Sequence, residues 1–274
     1  MLDPKRCGLP ILFVALSALI TWGQQGNGLG NTGDSTIPRG VNRYLGRTVA
    51  QTMHYTGAEW LIRNTREREE RCSLMLANLD VRPGMTVCDM GCGNGFYSLK
   101  LAKMVGQQGQ VLGVDIQPEM LVLLRQRAEK SGIENISPIL GSMHDPRLPQ
   151  KTVDMVLLVD VYHEFSHPQH MLAGMRRSLK DDGTIVLLEY RGEDPDVPIK
   201  PLHKMTRKQV DLEMRANGFK LVKSFDDLPW QHMLYYGIDT DWEPPEGYAN
   251  KVIAPRGACG RGGGVRAVWW NSRA

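Results

Sequence analysis

Two short strings of this 274-residue sequence hold residue types that could do chemistry. The first, VCDMGCGNGF at positions 87–96, sets an acid, Asp89, ahead of three glycines at alternate positions, Gly91, Gly93 and Gly95, with Cys92 between the first two. Glycine permits positive φ and lets backbone approach a bound molecule closely, so the string reads as a loop that lies against a ligand. A second acid, Asp115, ends the next apolar run and could accept from both hydroxyls of a ribose. The nearest confusion is the nicotinamide fingerprint G-x-G-x-x-G/A. It would need a small residue where Phe96 stands, and it would set the Asp89 carboxylate close to a pyrophosphate, an unfavourable meeting of two anions. Asp89 suits the ammonium of a methionine moiety better, reached through water or local backbone.

The second string is VDVYHEFSHPQH, positions 159–170. It contains His163-Glu164-x-x-His167, which matches the H-E-x-x-H pattern of two zinc-binding histidines one helical turn apart. Pro168 follows at once; it would break a helix running through the site but suits the first turn of one that starts there. No third ligand pattern such as G-x-x-H lies downstream. The sequence therefore predicts no resident metal, and a zinc peptidase is the lesser alternative. At the end of a sheet strand, by contrast, Asp160, Tyr162, His163 and Glu164 would face a cofactor's reactive end. Tyr162, His163 and Glu164 are the catalytic candidates, with His163 and Glu164 as the pair to remove an acceptor's proton. The plainer alternative is that they only brace the following helix. A third, less specific cluster, Glu189, Tyr190, Arg191, Lys200, His203 and Lys204, could shape an acceptor pocket.

The elements that must position these strings follow from the apolar pattern. Strand-like runs at 85–90, 110–115, 136–140, 153–161 and 183–190 alternate with helical patterns over 96–105, 119–131 and 168–179. Several runs are apolar throughout, as strands buried on both faces of a parallel sheet are. This order predicts a doubly wound α/β sheet with helices on both faces. A helix over 206–217, stopped by Gly218, and strands at 219–225 and 231–239 close the domain. Residues 41–84 read as a helical lid region in which RNTREREER (63–71) is a solvated face with acid–base pairs three and four apart. His54, Tyr55 and Trp60 could close over a cofactor, although core packing is the expectation for Trp60.

Over about residues 55–240, on DMGCGNG, GVDIQPEML, VDMVLLVDV and LLEYR, the chain resembles the methyltransferase domain of the UbiE/arsenite-methyltransferase-like group. The resemblance implies the class I fold, a Rossmann-like, seven-stranded mixed sheet over 85–240, and S-adenosyl-L-methionine as cofactor. It implies that Asp89, Gly91, Cys92, Gly93 and Gly95 line the methionine side, with Asp115 on the ribose and Ile116 against adenine. Of Ser142, His144 and Asp145, it favours Asp145 near the adenine amino group, with Asp160 also beside the cofactor. The implied reaction is an in-line displacement on the sulfonium methyl by a small-molecule acceptor, to which the protein contributes alignment and dryness. The cysteines here stand in other contexts than those of the arsenite enzymes, so that substrate is not carried over.

Composition sets the remaining bounds. A net charge of +3 is too small to argue for a nucleic-acid partner, and none is expected; 42% hydrophobic residues suffice for one well-filled core. Lys5 and Arg6 ahead of Leu9–Ile20, with the Thr21-Trp22-Gly23 exit, have the form of an export signal over 1–23. The run is short for a membrane span, so membrane association is expected only if it stays on as an anchor. A misplaced start codon would leave the protein cytoplasmic. Residues 24–40 read as a linker and 241–274 as a disordered extension. The five cysteines have neither disulfide nor metal-site spacing. S-adenosylmethionine is made inside cells, so a signal-bearing chain also admits a non-catalytic cofactor-binding protein. Oligomeric state is not legible.

Overall fold

The computed structural model describes residues 38–248, all within one compact unit. The expected signal at 1–23, the linker up to residue 37 and the chain from 249 onward lie outside the described residues. Among those described, no helix is long and apolar enough to cross a membrane.

Five parallel strands carry the sheet: β1 (Thr86–Met90), β2 (Gln110–Asp115), β3 (Ile136–Leu140), β4 (Val153–Val159) and β5 (Leu179–Arg191). With β6 (Phe219–Phe225) and β7 (Gln231–Ile238) the order is β3-β2-β1-β4-β5-β7-β6, and β7 runs antiparallel to both of its neighbours. A two-residue strand, Lys204–Met205, pairs in parallel with the end of β5, Tyr190 opposite Lys204. The helices are α1 (Arg66–Glu70), α2 (Cys72–Asn78), α3 (Ser98–Val105), α4 (Pro118–Lys130), α5 (Pro168–Ser178) and α6 (Arg207–Ala216). Pro118 and Pro168 stand in the first turns of α4 and α5, where a missing N–H costs nothing.

Strand β4 explains the two-sided core. Val156 and Leu158 pack with Leu172 of α5 and Met214 of α6, while Met155 and Leu157 pack with Leu101 of α3 and Met75 of α2. Each such side chain contributes about 1.5–3 kcal/mol of apolar burial, and a strand covered on both faces has no polar register. β4 stops at Val159 rather than at 161, because Asp160 takes a left-handed backbone (φ +51°) and turns the chain.

Two expectations for the flanks are corrected. Residues 41–84 are not helical throughout: Arg43–Tyr44 pairs with Arg47–Thr48 as a hairpin, and Tyr55–Ile62 is a 3-10 turn. Arg47 Nε meets Glu213 Oε1 of α6 at 2.6 Å, so the hairpin belongs to that helix rather than to a lid. The extension expected to be disordered from 241 begins as folded chain: Tyr248 packs on Ala173, and its Oη donates to Asn217 Oδ1 at 2.9 Å.

Candidate active site

The left-handed turn at Asp160 and the glycine loop after β1 stand side by side at the carboxyl ends of two paired strands. A cavity of about 550 Å³ opens beside them. Gly91 (φ +72°) and Gly93 (φ +52°) form its floor. A Cβ at Gly91 would collide with Val161 Cγ2 and Cβ, and one at Gly93 would press on the tip of Leu61, so the positive φ favours glycine at both and the space at Gly91 does as well. Asp115 holds the loop from below: Oδ2 accepts from the Gly93 N–H and Oδ1 from the Gln117 N–H, each at 2.9 Å. Burial pushes its carboxyl up, and those backbone donors pull it back. Asp115 and Ile116 both line the cavity.

Residues 53–62 form the roof. The Gln117 side chain donates to Met53 O at 2.9 Å and accepts from the Tyr55 N–H at 2.8 Å; Asn94 Nδ2 donates to Ala58 O at 2.8 Å. Trp60 is not core: it is 49% exposed at the cavity rim, with the Arg63 guanidinium 3.7 Å from its ring centre. The solvated reading of 63–71 fails in part, since Arg66 and Glu70 are both buried, four residues apart and turned inward. Arg66 Nε pairs with Glu70 Oε2 at 2.7 Å, its Nη1 donates to Leu61 O at 2.7 Å, and Tyr190 Oη donates to Glu70 Oε1 at 2.9 Å. Arg66, Tyr190 and Asp160 share one stretch of cavity wall. Asp160 Oδ2 accepts from Gln231 Nε2 at 2.7 Å, whereas Oδ1 is buried without a partner. Burial, with Glu70 and Glu189 nearby, pushes this carboxyl well up. A buried carboxyl oxygen without a hydrogen-bond partner is costly, so this wall offers an acceptor to a donor group of a ligand.

His163, Glu164 and His203 line the same cavity. His163 Nδ1 lies 2.6 Å from Glu189 Oε2, its backbone N–H donates to Glu189 Oε1 at 3.2 Å, and its Nε2 faces His203 Nδ1 at 3.0 Å. Glu164 Oε1 accepts from the Met53 N–H at 3.2 Å and lies 3.9 Å from His163 Nε2. Burial pulls the His163 imidazole down, but Glu189 outweighs it and leaves the ring above the usual histidine range. Burial also lifts Glu164 to about 7, and burial with His163 beside it lowers His203.

Several expected site residues lie elsewhere. Tyr162 is wholly buried away from the cavity, its Oη donating to Glu213 Oε2 at 2.8 Å, because the 3-10 turn over 162–164 sends it into the core as it aims the next two side chains outward. Cys92 turns into the packing of α4 with Leu121 and Leu124, and Gly95 is held close by Leu124 and Leu99, so neither lines the cavity. Asp89 lies beneath the loop, accepting from Ser98 Oγ at 2.5 Å, and burial lifts it to about 6. Asp145 is exposed and caps the Arg147 N–H at 2.9 Å; Ser142 and Met143 take its expected place on the wall. The H-E-x-x-H string is not one helix: His167 precedes α5 and its Nε2 reaches Pro38 O at 2.8 Å. Cys72, Cys88 and Cys92 are free, buried thiols.

Residues 82–237, more than half of the chain, match the family model described as a methyltransferase domain. The chain belongs to this family. It is a class I methyltransferase domain, and S-adenosylmethionine is its cofactor. Among solved structures it is similar to a SAM-dependent methyltransferase from Aquifex aeolicus, with TM-score 0.64, 25% identity, and 68% of this chain and 98% of that one covered. Among curated proteins it is similar to the demethylmenaquinone methyltransferase of Shouchella clausii, 28% identical over 57% of this chain and 64% of the relative. It is also similar to the ubiquinone/menaquinone biosynthesis C-methyltransferase UbiE of a Shewanella strain, 30% identical over 54% of each. The chain thus spans less than two thirds of the length of these curated relatives. The residues of the cavity fit the cofactor: glycines with positive φ that let backbone lie against a bound molecule, and the buried Asp160 Oδ1 without a hydrogen-bond partner.

Proposed function

We propose that this domain moves the methyl group of S-adenosylmethionine to a small, apolar-bodied acceptor that carries an ionisable oxygen. The observation that carries the reading is one cavity lined by the glycine loop and Asp115 together with His163, Glu164 and His203. When bound, S-adenosylmethionine supplies a methyl already activated as an electrophile and open to in-line displacement. Asp115 is assigned the ribose hydroxyls and Ile116 the adenine face. Asp160 Oδ1 takes the ammonium of the methionine moiety, and Arg66 offers its guanidinium to the carboxylate. Asp89, under the loop, acts through Ser98 and the backbone rather than by contact. The roof from Met53 to Leu61 keeps water out, and alignment in a dry cavity is most of what such a reaction asks of a protein. Met143, Phe165, Met171 and Ile199 supply an apolar wall for the acceptor's body, which suits a quinone-like ring system of the kind named in the relatives. The acceptor's ionisable oxygen is placed at the cluster of His163, Glu164 and His203.

Calorimetric titration with S-adenosylmethionine is the first test. One site is expected, and it should be lost in Asp115→Ala and in Gly93→Val. Absence of binding, or binding that both variants retain undiminished, would overturn the assignment. A panel of phenols and enols with methyl-labelled cofactor then identifies the acceptor class.

A further inference from the structure

We propose that His163, Glu164 and His203 form a mononuclear site for a divalent cation of the zinc class, open on the cavity so that the metal takes the acceptor's ionisable oxygen. The inference rests on the methyltransferase reading of the same cavity and names how its acceptor is held. Three lone-pair donors converge there: His163 Nε2, His203 Nδ1 and a Glu164 oxygen all lie within 4.8 Å of one another. The two imidazoles meet nitrogen to nitrogen at 3.0 Å with their planes at 81°, so neither ring stacks on the other. Two histidines and one carboxylate with a free position are the ligand set of a catalytic zinc site, whereas structural sites are closed by four protein ligands.

The second layer matches as well. A metal-bound histidine nearly always gives its other N–H to a carboxylate or carbonyl, which fixes the tautomer that leaves the ligating nitrogen bare. Here Glu189, wholly buried, sits 2.6 Å from His163 Nδ1 and also accepts from the His163 backbone N–H. Glu164 brings the third donor atom, its Oε1 3.9 Å from His163 Nε2 while it also accepts from the Met53 N–H. Strand β5 organises the whole arrangement, since it carries Glu189 and, one residue on, the pairing of Tyr190 with Lys204 that sets His203 in place. The H-E-x-x-H string thus contributes its first histidine and its glutamate, while its second histidine is spent on Pro38. In the step this supports, an acceptor R–OH binds the metal through oxygen, the O–H bond breaks and the proton passes to solvent. No oxidant or reductant is involved.

The test is titration of chelator-treated full-length protein with Zn²⁺ alone, by calorimetry, and with Co²⁺ alone, by visible absorption. One equivalent per chain is expected, with a d–d band for Co²⁺ of four- or five-coordinate intensity. His203→Ala, at the half-buried end of the 3-10 turn Pro201–His203, should weaken zinc binding at least tenfold, and Glu164→Gln should do so independently. Glu189→Gln should weaken it roughly 10- to 100-fold, the range for removing a carboxylate behind a ligating histidine. His167→Ala should leave it unchanged. Circular dichroism and the unfolding midpoint establish that each variant is folded. No stoichiometric zinc, or zinc held equally well by His203→Ala and Glu164→Gln, overturns the site. Cofactor binding is measured separately: S-adenosylmethionine bound without zinc removes the metal alone, while no S-adenosylmethionine removes the reading beneath it.

Discussion

Asp160 couples a left-handed backbone to a carboxylate oxygen without a partner, two unfavourable features that a neighbouring cation would reward. Asparagine tolerates that backbone region and keeps an acceptor for Gln231, so Asp160→Asn isolates the charge. Its expected effect is a roughly 10- to 100-fold loss of S-adenosylmethionine affinity, the worth of a hydrogen bond to a charged group, with an unchanged or higher unfolding midpoint. Equal affinity by calorimetry would remove Asp160 from the cofactor. Asp89 gives a prediction in pH. Its folded-state value, about 6, is raised above the ordinary 3.8, so the stability it contributes is complete below 3.8 and is lost as pH rises through about 6. That loss is about 3 kcal/mol, and Asp89→Asn does not share it. Urea midpoints at pH 4 and pH 8 should show the variant gaining on the parent at pH 8; an equal gap at both would refute the buried anion. At this scale the sequence was legible where chemistry and backbone coincide, as at Gly91, Gly93 and Asp115. It was opaque where one residue of rotation decides: nothing in YHE says that Tyr162 enters the core while His163 and Glu164 face the cavity.

The roof is tied to the sheet by few bonds, and Gln117 makes two of them. Gln117→Ala should free residues 53–57, seen as faster amide exchange there, and weaken cofactor binding several-fold by about 1 kcal/mol, the net worth of such hydrogen bonds. Unaltered exchange would mean that the roof is held by packing alone. The hairpin at 43–48 is fastened differently. Glu213 is fully buried and accepts from Arg47, Tyr162 and Gln209, so removing Arg47 leaves a buried anion short of its cation. Arg47→Met should cost about 3–5 kcal/mol by denaturant unfolding, and Arg47→Met with Glu213→Met markedly less. Strands and helices of the sheet were legible to within two residues, since apolar runs, Pro118, Pro168 and Gly218 are local signals, except that β5 begins at Leu179, four residues before its expected start. The hairpin and the inward-facing Arg66 and Glu70 were not, because their partners, Glu213 and Tyr190, lie more than a hundred residues away in sequence.

Across the whole molecule, the class I order of strands brings β1 and β4 together although two strands separate them in sequence, and that juxtaposition creates the site. Alternation of strands and helices made the topology legible; the full lining of the cavity was not, because it comes from separate segments that share no motif. One of these is the chain between β5 and Lys204–Met205. It leaves the sheet at Arg191 and is stitched back onto the same strand end by the pairing of Tyr190 with Lys204 and Arg191 with Met205. Pro198, Ile199, Lys200 and His203 reach the cavity from it, while the glycine loop and Asp115 owe it nothing. The segment is thus a loop whose two ends are paired on one strand. Lineages could lengthen or rewrite residues 192–203 and change what is methylated without re-solving how the methyl donor is held.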